Sequence, residues 1–190
     1  LTDDIDVNYH IKYFEKLSER LSGYTNTVVI SILDEYVKTK RNMKGINIKK
    51  LNDKEIDTLF SAITKIAKNN KIEIKSCAEE KDLQKYGITH GKCIDDNLIS
   101  KLFNFDINIK KDKNQRKSCG CVESIEVGAY NTCLHGCKYC YANFDDELVE
   151  NNYNKHDKNS PFLIGNKLEN DEVTERKIKV LKRVIQEKLF

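Results

Sequence analysis

Apolar residues recur every three to four positions in two stretches of this chain. Ile11, Phe14, Leu17 and Leu21 share one face of a helix over residues 8–22, which Gly23 closes. Ile56, Leu59, Phe60, Ile63 and Ile66 repeat the pattern as far as Lys68. Asn52 and Glu55 ahead of them form an Asn-x-x-Glu start signal, a looser version of the capping box. Between these helices the pattern shortens to β-branched runs. Residues 27–33 read TVVISIL and residues 71–77 read KIEIKSC, both consistent with short strands. Residues 35–51 are polar and basic, a loop or weak helix, and 95–103 predict a further short helix. At the end of the chain Ile178, Leu181, Val184, Ile185 and Leu189 mark a terminal helix, with Thr174 as its N-cap.

The order helix, strand, helix, strand, helix predicts parallel strands joined by crossover helices, an α/β fold. Two strands do not make a barrel by themselves. The reading is therefore the trailing part of a (β/α) TIM-like barrel whose earlier strands lie before Leu1. An opening at Leu1, with Met43 as the only methionine, supports a missing N-terminal part. The expected organisation is 1–104 as barrel, 105–165 as a loop-rich cysteine segment, and 166–190 as the C-terminal helix. Chemistry in such folds gathers at the C-terminal ends of strands. Those ends carry Asp34 on the first strand and Cys77, Glu79 and Glu80 on the second.

Composition narrows the partners. Hydrophobic residues make up 39% and charged residues 33%, with a net charge of +3 and a mean hydropathy of −0.63. That charge is too small to argue for nucleic acid. No apolar run approaches the ~20 residues of a membrane span, and no signal-peptide pattern opens the chain. The expectation is a cytoplasmic protein with no membrane partner. The basic run Lys110, Lys111, Lys113, Arg116 and Lys117 encloses Asp112 and interleaves no aromatics, so it reads as a solvated loop.

Seven cysteines change the picture: Cys77, Cys93, Cys119, Cys121, Cys133, Cys137 and Cys140. The count is odd and five lie between Cys119 and Cys140, which points to metal rather than to a disulfide framework. Cys133, Cys137 and Cys140 are spaced Cys-x3-Cys-x2-Cys. Thiolates at such intervals wrap zinc, copper(I) or iron–sulfur centres. A structural zinc site usually shows two knuckles, and here there is one. Three thiolates on a cubane leave one iron open to a small molecule.

With Tyr139 before its last cysteine, this motif resembles the cluster motif of the radical S-adenosylmethionine superfamily. The stretch 129–142, AYNTCLHGCKYCYA, is similar to the form in enzymes related to spore photoproduct lyase. A closer match is the bacterial family Domain of Unknown Function 1848. The resemblance runs through Tyr9-His10-Ile11-Lys12-Tyr13-Phe14, Cys77-Ala78-Glu79-Glu80, His90-Gly91-Lys92-Cys93-Ile94-Asp95-Asp96 and residues 113–142. It implies a [4Fe–4S] cluster ligated by Cys133, Cys137 and Cys140, with S-adenosylmethionine at the fourth iron and Tyr139 near its adenine. It names no substrate. The chain departs from the superfamily in having no Gly-Gly pair, and so no Gly-Gly-Glu segment for the cofactor's amino group.

Three functions stay open. One is a radical S-adenosylmethionine enzyme acting on a small molecule or other substrate and fed by an electron donor. Nucleic acid enters as its substrate only by analogy with photoproduct lyase. The second is a non-catalytic or electron-transfer iron–sulfur protein, and the third a zinc-stabilised binding module. Cys77, Cys93, Cys119 and Cys121 have the number of thiolates needed for a second cluster or a zinc site. Cys119 or Cys121 could instead close the fourth position of the first cluster, and Cys77 could be a small buried hydrophobe. His135 and His90 read as a hydrogen-bond donor to a cluster and a ligand, or as plain loop residues. Glu79 and Glu80 read as acid/base groups, or as helix N-terminal residues.

Overall fold

In a computed structural model of the chain, residues 1–177 are described, together with all their side chains except that of Lys38. Eight elements follow in order: α1 (Val7–Leu21), β1 (Thr27–Ile30), α2 (Val37–Asn42), α3 (Asp53–Asn69), β2 (Glu73–Ser76), β3 (Thr89–His90), α4 (Asp96–Phe103) and α5 (Asp146–Asn154). A 3-10 turn, Gln84–Tyr86, lies between β2 and β3. The terminal helix read over 174–190 lies, from residue 178 onward, outside the described residues, and residues 171–177 carry no regular structure.

The chain divides into two compact units. The first comprises Leu1–Leu33 and Asn47–Ser124, and the second Asp34–Ile46 and residues 125–177.

The first unit is built on three parallel strands in the order β1-β2-β3. Thr27 pairs with Glu73 and Ile30 with Ser76, and Ser76 in turn pairs with His90. This register aligns Ile30, Ser76 and His90 in one row at the C-terminal edge. The sheet is open. The expected TIM-like barrel is therefore corrected: strands of four, four and two residues form a short ribbon that does not close on itself. Alternating helices and strands dictate parallel neighbours, but closure needs about eight strands with consistent tilt and stagger.

Helix α3 supplies the core. Its buried face is Ile56, Leu59, Phe60, Ile63 and Ala67, at the spacing of one helical stripe. They meet Val7 of α1, Ile72 and Ile74 of the β2 segment, and Leu83 and Ile88 beyond it. Asn52 caps α3 by accepting from the Glu55 N–H at 3.0 Å, while Glu55 accepts from the Asn52 N–H at 2.9 Å. The stripe of α1 is rotated from the expected one. Ile11 and Phe14 pack on the core and Ser18 is buried, whereas Leu17 and Leu21 face solvent.

The second unit is loop-rich. Its buried residues are Thr39 and Met43 in the α2 segment, Asn131, and Val149 of α5. Asp145 starts α5 by accepting from the Leu148 N–H at 2.8 Å.

Candidate metal centre

Cys77 follows β2 directly, and its N–H donates to the Ile30 carbonyl at 3.0 Å. The chain then turns sharply. Ala78 is buried with φ +49°, a left-handed conformation that costs an L-residue roughly 1–2 kcal/mol. Cys93 follows β3 by three residues. Gly91 makes that approach possible, donating to the Ser76 carbonyl at 2.7 Å. A Cβ on Gly91 would stand 2.9 Å from the Lys75 Cβ. Cys119 and Cys121 arrive on the loop after the basic run. That loop is closed by an antiparallel bridge between Lys111 and Val122, by Asp112 N–H donating to the Cys121 carbonyl at 3.0 Å, and by Val122 N–H donating to the Ile94 carbonyl at 3.3 Å.

These four cysteines meet. The Cys77 and Cys93 sulfurs lie 3.1 Å apart. Cys121 Sγ accepts from the N–H of Cys93 at 3.2 Å and of Ile94 at 3.4 Å. Its thiol also interacts with those of Cys93 and Cys119. Cys119 and Cys121 are buried, Cys77 is half-buried and Cys93 is exposed, and Cys77 and Ile94 pack against the buried trio of Ala78, Cys119 and Cys121.

Crowding splits the acidities. The hydrogen bond to Cys77, then burial, push Cys93 up to about 12. Burial also raises Cys119. Burial acts to raise Cys121 too, but N–H donation from Ile94 and Cys93, with hydrogen bonds from its neighbouring thiols, holds it below the ordinary thiol value. Cys121 is therefore more acidic than Cys93 and Cys119.

His90, read from sequence as a ligand or a plain loop residue, braces this edge. Its Nε2–H donates to the Ser118 carbonyl at 3.1 Å. Its Nδ1 then accepts from the buried Ser76 hydroxyl at 2.9 Å. Ser118 Oγ donates to the Ala78 carbonyl at 3.1 Å. Ser76 and Ser118 were not legible as candidates, since nothing marks a serine as a brace before the strand register is known. Glu79 accepts from the N–H groups of Ile32 and Lys81, each at 3.1 Å, so its carboxylate ties strand ends together. A cleft of about 510 Å³ opens beside His90 and Ser118 and is also lined by Glu79, Glu80, Lys81 and Lys117.

The second unit holds the other three cysteines on a pinned loop. Asn131, buried with φ +56°, is the pin. Its N–H donates to the Ala142 carbonyl at 2.9 Å. Its Oδ1 accepts from the Phe144 N–H at 2.9 Å, and its carbonyl accepts from Asn152 Nδ2 at 3.0 Å. Asn143 adds a side-chain bond to the Cys133 carbonyl and a backbone N–H to Cys140 Sγ at 3.3 Å. Cys133 and Cys137 are exposed and Cys140 is half-buried. Gly136, at φ +60°, turns the chain between the first two. Tyr139 donates from its hydroxyl to the Asp34 carbonyl at 2.6 Å, and His135 is exposed.

Among the described residues, no group of three or more His, Cys, Asp or Glu side chains is arranged to hold a metal ion. In donor chemistry both thiol sets fit soft metals. Among the same residues no helix is long and apolar enough to cross a membrane. No curated protein and no solved structure matches the chain. The family model for Domain of unknown function (DUF1848) matches residues 1–142, a span that takes in both the four-thiol edge and all three loop cysteines, and the chain belongs to that family.

Proposed function

We propose that this chain is a cytoplasmic iron–sulfur protein, with Cys133, Cys137 and Cys140 as ligands to three irons of a [4Fe–4S] cluster. The observation that carries the reading is the pinned loop of residues 131–144. One buried asparagine closes its neck, three thiols are spaced Cys-x3-Cys-x2-Cys along it, and the Asn143 N–H already donates to Cys140 Sγ at 3.3 Å. A backbone N–H to a ligand sulfur stabilises added negative charge on a bound cluster. Such a cluster, when bound, supplies one-electron transfer and an iron without a thiolate, open to a small molecule.

The chain's own residues then have distinct tasks. The three cysteines ligate, Asn131 holds the loop's neck, and Asn143 orients Cys133 and Cys140. Tyr139, anchored through its hydroxyl to Asp34, offers its ring face as a wall for a ligand at the open iron. On this reading S-adenosylmethionine is the ligand and the chain is a radical enzyme of unassigned substrate with an external electron donor.

The test is anaerobic purification of the protein with assays of iron and acid-labile sulfide, followed by electron paramagnetic resonance of the reduced protein with and without S-adenosylmethionine. About four irons and four sulfides per chain, lost together in Cys137→Ala, support the cluster. Protein without acid-labile sulfide overturns it. A spectrum unchanged by S-adenosylmethionine overturns the enzyme reading alone and leaves an electron-transfer protein.

A further inference from the structure

We infer that Cys77, Cys93, Cys119 and Cys121 form a second, independent centre that holds a single tetrahedral divalent ion of the zinc class. It serves to lock the C-terminal edge of the sheet. The inference does not depend on the iron–sulfur reading, since it concerns different thiols.

Three chain segments, remote in sequence, converge here. One follows β2, one follows β3, and one is the bridged loop that carries Cys119 and Cys121. A free cysteine serving as a small hydrophobe needs no hydrogen-bond donors at its sulfur. Here Cys121 receives two backbone N–H groups, the environment of a thiolate that carries charge.

Distance decides between a single ion and a cubane. Sulfurs around one zinc, at about 2.3 Å each, sit roughly 3.8 Å apart along the tetrahedron's edge. Cysteines on separate irons of a cubane point away from one another and lie well beyond contact. The Cys77 and Cys93 sulfurs are 3.1 Å apart, so small outward shifts reach the single-ion edge and large ones would be needed for a cubane. The same 3.1 Å is far longer than the roughly 2.05 Å of a disulfide. A Cys77–Cys93 bridge would also leave the donors on Cys121 unexplained.

Four thiols binding one divalent ion release four protons to solvent and leave the site with two negative charges. The Lys92 stem runs across Gly120, between the two loop cysteines, with its Cγ 3.1 Å from where a Cβ would stand. Its ammonium is paired with the Asp96 carboxylate, so the stem brings cover to the centre rather than free positive charge. Cys93 is exposed, which gives an ion its way in, while Cys119 and Cys121 form the buried floor.

The experiment uses the full chain carrying Cys133→Ala, Cys137→Ala and Cys140→Ala, which removes the loop thiols. After anaerobic purification, zinc is counted, and the metal is then exchanged for Co²⁺. One zinc per chain, sulfur-only scattering at the zinc X-ray absorption edge, and the intense visible bands of tetrahedral thiolate cobalt are expected. Adding Cys93→Ser, at the exposed position least needed for folding, should weaken zinc binding at least tenfold in chelator competition. Iron with acid-labile sulfide in the triple variant would overturn the inference in favour of a second cluster. Metal-free protein with intact folding by circular dichroism would overturn it outright, as would a Cys77–Cys93 disulfide by mass spectrometry. None of these three results bears on the loop cysteines.

Discussion

The Tyr139 hydroxyl donates a 2.6 Å hydrogen bond to the Asp34 carbonyl, across 105 residues of chain. It fastens the Asp34–Ile46 segment to the cysteine loop within one compact unit. Tyr139→Phe keeps the ring and removes the bond. It should cost about 0.5–1.5 kcal/mol and raise amide hydrogen exchange over residues 34–46, with iron content unchanged. Loss of iron in this variant would show that the hydroxyl serves the ligands themselves.

Asn131 combines two demands at one position, an acceptor for the Phe144 N–H and a positive φ. Asn131→Ala removes the acceptor of the part-buried Phe144 N–H and strains the backbone, and should destabilise the protein by about 2–3 kcal/mol. Asn131→Gly relieves the strain alone and should fall between the two. Thermal unfolding of the three proteins orders them.

His90 links Ser76 to Ser118, and through Ser118 supports the turn at Ala78. Replacing a residue that orients metal ligands typically costs 10–100-fold in affinity. If the four-thiol edge holds zinc and the loop a cluster, as proposed, His90→Ala should weaken zinc binding by about that factor in chelator competition and leave the loop iron in place.

At Gly91 there is no room for a side chain. A methyl group would press on Lys75 Cβ and on the Ser76 carbonyl, so Gly91→Ala should cost about 1–3 kcal/mol, measured by urea unfolding. Phe60→Ala, in the core against Tyr86 with ring centroids 5.6 Å apart, should cost about 3–5 kcal/mol and serves as the reference for a purely packing defect.

Asp57 binds Lys85 and Tyr86, and the hydrogen bond from Lys85, then that from Tyr86, holds its carboxyl below the usual value. A carboxylate with a depressed folded pKa stabilises above its unfolded pKa, near 3.8, and that stability is lost as pH falls through the folded value. Asp57→Asn should therefore be less stable than the parent at neutral pH, with the difference closing below about pH 4. Acid titration of circular dichroism for the two proteins checks the sign.

How far the sequence carried the fold depended on how much each element declares locally. Helices α1 and α3 were legible because apolar spacing and the Asn52–Glu55 cap are written within a few residues. Strand β3 was not, since two residues carry no period. Helix α5 was missed because only Leu148, Val149 and Tyr153 interrupt its polar run. The barrel was an over-extension of a local signal: alternation speaks for parallel neighbours, whereas closure depends on strands in numbers that local pattern cannot count. The Cys-x3-Cys-x2-Cys loop was legible because its spacing is short. The meeting of Cys77 with Cys93 was offered by the sequence only as arithmetic. It rests on the pairing of Ser76 with His90, a long-range register that no short window contains.

The path of the chain between its two units has a consequence for how this protein could change over time. The backbone crosses from one unit to the other at residues 33/34, 46/47 and 124/125, so the cysteine loop and the strap at Asp34 are encoded on opposite sides of α3. The part carrying the Cys-x3-Cys-x2-Cys loop therefore cannot be inherited, swapped or grafted as one uninterrupted gene segment. A recombination breakpoint anywhere between residues 47 and 124 separates Tyr139 from its Asp34 acceptor. Because that acceptor is a backbone carbonyl, such a crossover keeps the bond wherever the chain at residue 34 follows the same path, whatever its side chain.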